Sequence, residues 1–158
     1  MKAASINEVK SALKSLSQAQ VMELCLRLAR YKKENKELLT FLLFEADDMS
    51  GYASGIKEEM DEGFAGMNKT NLYIAKKNLR KILRTTNKYI KYAGDKELEI
   101  DLLLHFCTSY KGLKIPSHRS AALANIYTGQ LKKIRTAIDG LHEDLQHDYL
   151  RQVARLEE

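Results

Sequence analysis

The chain has 158 residues, with 26 Lys and Arg against 21 Asp and Glu, a net charge of +5, 44% apolar and 30% charged residues. That length suits one domain, residues 1–158, with its own core, and two cysteines make no disulfide framework. The N-terminus lacks the apolar stretch of a secretory signal, and the most apolar run, residues 38–46, is about half a membrane span, so a soluble, cytoplasmic protein with no membrane partner is expected.

Abundant Leu, Lys, Ala and Glu with a single Pro favour helix throughout, and no strand pattern occurs. Ser5 and Glu8 have capping-box spacing and open a helix over 6–16, with Ile6, Val9, Leu13 and Leu16 on one face. Ser17 caps a second helix ending near Tyr31, with Val21, Leu24, Leu28 and Tyr31 aligned. Cys25 in this helix, like Cys107 further on, sits in an apolar run and is expected to be a small buried residue. A third helix over 35–47 is apolar around most of its circumference and is expected to be the most buried element.

Ser50, Gly51 and Gly55 read as a breaker cluster across 47–55. An acidic fourth helix follows, with Ile56, Met60 and Phe64 in register and Gly63 and Gly66 weakening its end. Asn68 or Thr70 then caps a long basic helix that stops near Ala93 and Gly94. Asp95 caps a sixth helix to about Tyr110, with Leu98, Leu102, Phe106 and Tyr110 aligned. Gly112 and Pro116 mark the clearest loop, after which Ser117 caps the last helical region. There Leu123, Tyr127, Ile134, Ile138, Leu141, Leu145 and Tyr149 keep one helical phase across Asp139 and Gly140. The phase favours one long, kinked helix over 118–156, and the Asp-Gly pair favours a break. The sum is an all-α protein of about seven helices, either stacked antiparallel hairpins resembling an α-solenoid or an irregular bundle.

Charge is segregated along the chain. Successive blocks 1–44, 45–66, 67–92, 93–110, 111–135 and 136–158 carry +4, −6, +8, −3, +6 and −4. No acid lies between Glu62 and Asp95. Within that span Leu72, Ala75, Leu79, Ile82, Leu83, Thr86 and Ile90 form a stripe suited to burial. Lys77, Lys81, Arg84, Lys88 and Lys91 fall on the opposite side, Lys76 and Arg80 on one flank, and Tyr73 and Tyr92 near the two ends. Like charges four apart, such as Lys77 and Lys81 or Arg80 and Arg84, repel by a few tenths of a kcal/mol per pair. Something outside the helix is expected to offset that repulsion: the acids Glu58, Glu59, Asp61 and Glu62 of the fourth helix, or an external anion.

The expected function is therefore a non-enzymatic interaction module using residues 70–92 to bind an acidic protein or another copy of itself. The alternative is non-specific nucleic-acid binding through the same face. A second acid-free stretch, with Lys111, Lys114, Arg119, Lys132, Lys133 and Arg135, extends the positive surface if the fold brings it near. No phosphate loop, nucleophile elbow or zinc spacing is present, so no cofactor, metal, catalytic residue or small-molecule ligand is identified. His142 and His147 point about 140° apart on a helix, and His105 and Cys107 about 160° apart, which excludes either pair as a site within one helix. His105 is expected to be half-buried and hydrogen-bonded. Tyr31, Tyr110, Tyr127 and Tyr149 read as core residues.

Overall fold

The computed structural model describes all residues, 1–158, and is entirely helical, with eight α-helices and no strand. The chain forms two compact units, Met1–Phe44 and Glu45–Glu158.

The first unit holds α1 (Ile6–Lys14), α2 (Gln18–Tyr31) and α3 (Lys33–Thr40). The expected capping box of Ser5 with Glu8 forms, and Ser17 caps α2 as expected, in a second box completed by Gln20. Each satisfies amide groups that a helix start leaves open. At Lys32 the backbone is extended, and α2 and α3 pair as a hairpin, with Asn35 Nδ2 donating to the Leu28 carbonyl at 2.8 Å. None of the three helices buries a residue completely.

That finding corrects three expectations. The third helical region is not the most buried element: it becomes α3 followed by a π-turn (Phe41–Glu45), in which only Phe41 is buried, while Leu42, Leu43 and Phe44 are exposed. Cys25 and Tyr31 are exposed as well. The apolar stripes of α1 and α2 are real, but too few helices surround them within this unit to close a core.

The second unit contains α4 (Met49–Ala65), α5 (Leu72–Ala93), α6 (Lys96–Gly112), a 3-10 turn (Ser117–Arg119), α7 (Ala121–Ile138) and α8 (Glu143–Glu157). Here α6 is the centre. It packs on α4, α5, α7 and α8, so this unit is the irregular bundle rather than a solenoid whose repeats touch only their neighbours. Ile100, Leu102, Leu103, Phe106 and Cys107 of α6 are fully buried, joined by Leu79, Leu123, Ile134, Ile138 and Val153 from the surrounding helices. Each such aliphatic or aromatic side chain contributes about 1.5–3 kcal/mol of transfer free energy. The expected register of Leu98, Leu102, Phe106 and Tyr110 is buried throughout.

Local signals moved several boundaries. Ser50, Gly51 and Gly55 break nothing and lie inside α4. Asp48 caps that helix by accepting from the Gly51 amide at 2.9 Å, and burial of Ala53, Ile56, Met60 and Phe64 outweighs the glycine penalty. Asn71, not Asn68 or Thr70, caps α5, accepting from the Tyr73 and Ile74 amides, while Asn68 closes the preceding turn. Ser120 rather than Ser117 caps α7.

The long final helix is broken. One straight rod would hold Tyr127 and Leu156 about 44 Å apart; instead the Tyr127 hydroxyl donates to the Leu156 carbonyl at 2.7 Å. At the break, the Lys96 ammonium occupies the space where a side chain at Gly140 would begin, and His142 caps α8. The apolar phase survives the turn because α7 and α8 both face α6.

Candidate functional site

The inner stripe of α5 forms as the periodicity implies: Ala75, Leu79, Leu83, Thr86 and Ile90 are buried, with Leu72 and Ile82 packed beside them. The buried Thr86 hydroxyl donates to the Ile82 carbonyl at 3.0 Å, so no polar group is stranded. Anchoring that stripe turns the opposite side of the helix to solvent.

Lys77, Arg80, Lys81, Arg84 and Lys91 are exposed on that side, and none forms an ion pair within the chain. Lys77, Lys81, Arg84, Lys88 and Lys91 follow one another at alternating spacings of four and three, one cation per turn over about 21 Å. Lys76 and Lys88 are half-buried and lie over tyrosine rings, Lys76 at 5.3 Å from the Tyr73 centroid and Lys88 at 5.0 Å from that of Tyr89. Tyr73 is 70% exposed. Tyr92 is only half-exposed and packs on Tyr89 with ring centroids 6.3 Å apart.

The fourth helix does lie beside α5, yet its carboxylates do not clasp the ladder. Asp61 turns to α6 and meets His105 Nε2 at 2.7 Å. Glu58, Glu59 and Glu62 are exposed and unpaired. Glu59, Glu62 and Lys81 line a common groove of about 350 Å³ between α4 and α5, together with Thr85 and Tyr89. At Gly63 the two helices come close: a methyl group there would sit 3.0 Å from Ile82 Cγ1. This groove, with Thr85 and Tyr89, was missed by reading α5 alone. The signal for it was Gly63, whose missing side chain leaves room for Ile82 of α5.

The second basic stretch contributes little to the ladder. Lys133 reaches α5, donating to Asn87 Oδ1 at 2.6 Å, but Glu99 at 3.2 Å offsets its charge. Arg135 is held by Glu157 at 2.6 Å, which raises its pKa. Lys111 donates to the Arg155 and Leu156 carbonyls at the end of α8.

Elsewhere the titratable groups serve the core. His105 is half-buried and bonded, as expected. Burial pushes the Cys107 thiol up to about 12 and raises Tyr110, Tyr127 and Tyr149, since a low-dielectric interior disfavours the charged form. Both cysteines are free thiols. No group of three or more His, Cys, Asp or Glu side chains converges, and no helix is long and apolar enough to cross a membrane. No protein-family model, curated protein or solved structure matches the chain.

Proposed function

We propose that the protein is a non-enzymatic interaction module whose α5 outer face binds an acidic protein segment, from another protein or from a second copy. The observation that carries this reading is the set of five exposed cations, Lys77, Arg80, Lys81, Arg84 and Lys91, with no internal counter-charge at bonding distance. Their mutual repulsion weakens the isolated helix and is offset when carboxylates arrive.

One feature favours an acidic protein segment over a nucleic acid. Only Tyr73 among the nearby aromatics is well exposed, so successive bases find one stacking surface rather than several.

The test is fluorescence anisotropy with a labelled Glu-rich peptide, a single-stranded DNA and a duplex DNA at several salt concentrations. The expected result is peptide binding that falls as salt rises and is lost in the Lys77→Glu, Lys81→Glu, Arg84→Glu variant. Tighter binding of DNA than of peptide, lost in the same variant, would transfer the face to nucleic acid. Binding of neither overturns the reading.

A further inference from the structure

We infer that the groove between α4 and α5 seats one mixed-charge step of the acidic partner: an aliphatic side chain on the groove floor, followed by a basic residue against Glu59 and Glu62. This rests on the reading of the α5 face given above and specifies what the partner carries at one point along it.

The walls of the groove differ in sign. Glu59 and Glu62 stand on the α4 side and Lys81 on the α5 side, and all three are exposed. None of them forms an ion pair, so opposite charges line one space without meeting across it. A purely acidic occupant satisfies Lys81 and sets its other carboxylates against two of the protein's own. A segment carrying both signs matches both walls, and such matching selects a partner more than it adds raw affinity.

The floor is apolar. Ile56 and Met60 are buried there, while Ile82 lines the groove and is only half-buried. The volume of about 350 Å³ is at the small end for a ligand site and suits one or two side chains. Asn78 and Thr85 also line the groove, half-buried, and neither side chain has a hydrogen-bond partner within the chain. Thr86 next to them has one, in the Ile82 carbonyl. A free amide and a free hydroxyl beside an apolar floor suit a peptide, whose main chain offers both donors and acceptors.

Lys81 belongs to the groove and to the ladder alike, with Lys77 four residues before it and Arg84 three after. An acidic segment laid along those cations therefore passes the mouth of the groove, and a basic residue within it meets carboxylates there.

Fluorescence anisotropy with three labelled peptides is the test. All are Glu-rich and of equal length, and their centres read Leu-Lys, Leu-Glu and Ser-Lys. The unaltered protein should bind the Leu-Lys peptide roughly fivefold more tightly than the Leu-Glu peptide, although it carries less negative charge. It should bind the Leu-Lys peptide roughly tenfold more tightly than the Ser-Lys peptide, the effect of burying one aliphatic side chain. In the Glu59→Gln, Glu62→Gln variant the Leu-Glu peptide should become the tighter of the first two, because the ladder alone then reads charge. Its continued binding also shows that the variant is folded. Leu-Glu binding as tight as Leu-Lys on the unaltered protein overturns the inference and leaves the reading of the α5 face standing. So does a Leu-Lys preference that survives the two glutamines, or Ser-Lys binding equal to Leu-Lys. Binding of none of the three, nor of the plain Glu-rich peptide, overturns both.

Discussion

Lys57 Nζ lies 2.8 Å from Asp101 Oδ1, and one turn further along both helices Asp61 meets His105 at 2.7 Å. The two ties fix α4 and α6 in parallel register. Since α5 joins them through short connections, it must run the opposite way, and its buried stripe faces the pair. Of the four α4 acids nearest the basic ladder, Asp61 is thereby engaged on α6, while Glu58, Glu59 and Glu62 stay exposed without an ion pair.

The clamp is partly solvated, so it is worth little by itself. Asp101→Ala should lower unfolding free energy by about 0.5–1 kcal/mol. Lys57→Ala should cost no more once Asp101 is gone. Urea titrations of the two single variants and the double variant measure the coupling directly.

Reversing one rung of the ladder should stabilise the fold while weakening binding. Arg84 lies four residues from both Arg80 and Lys88. Arg84→Glu converts two like-charge pairs into two opposite ones, each worth about 0.2–0.5 kcal/mol. A gain of about 0.5 kcal/mol at low salt, shrinking at high salt, is expected in thermal melts. A marked loss of stability would show that Arg84 serves the fold.

Gly94 ends α5 with φ +63° and donates its amide to the Ile90 carbonyl at 2.9 Å. Its left-handed backbone, not space, restricts the position, since an added methyl meets nothing within 4 Å. Gly94→Ala should therefore cost about 1 kcal/mol. Gly112→Ala, also in open space but at negative φ inside α6, should not, and chemical denaturation of both tests the contrast.

The two thiols should behave oppositely. Cys25 is exposed and should react with a thiol reagent in the native protein, whereas Cys107 should react only on unfolding. Cys107 also sets a pH dependence. Its thiol is pushed up to about 12 in the fold, against about 8.5 in an unfolded chain. Below that lower value both states hold the proton and the stability is complete. Between roughly pH 9 and 12 the unfolded chain binds fewer protons, so stability falls, by at most about 1.4 kcal/mol per pH unit from this group. Tyr110 is raised in the same sense and adds to the fall above about pH 10. Denaturation at pH 8, 9 and 10 should show the decline, and Cys107→Ala should flatten its first part.

Much of the local structure was legible in the residues. The capping box at Ser5, the Ser17 and Asp95 caps, the stop at Gly94 and the buried stripe of α5 follow from hydrogen-bonding groups and periodicity within a few turns. Phase misled at Asp139 and Gly140, because a helix that turns and packs on the same neighbour keeps its apolar side toward that neighbour. Composition misled for residues 38–44, because apolar content measures the wish for burial and not the presence of a cover.

Sequence alone determined that this chain is helical and that one helix carries an unbroken cationic side, since helix geometry converts spacing into faces without reference to the rest of the molecule. Only tertiary structure decided which acids reach which bases. Asp61 of α4 meets His105 of α6, Asp101 of α6 meets Lys57 of α4, and the exposed α5 cations Lys77, Arg80, Lys81, Arg84 and Lys91 were left to solvent. Tertiary structure likewise decided that α6 rather than residues 35–47 occupies the interior, because burial depends on how many neighbours surround a helix and no helix specifies its own neighbours.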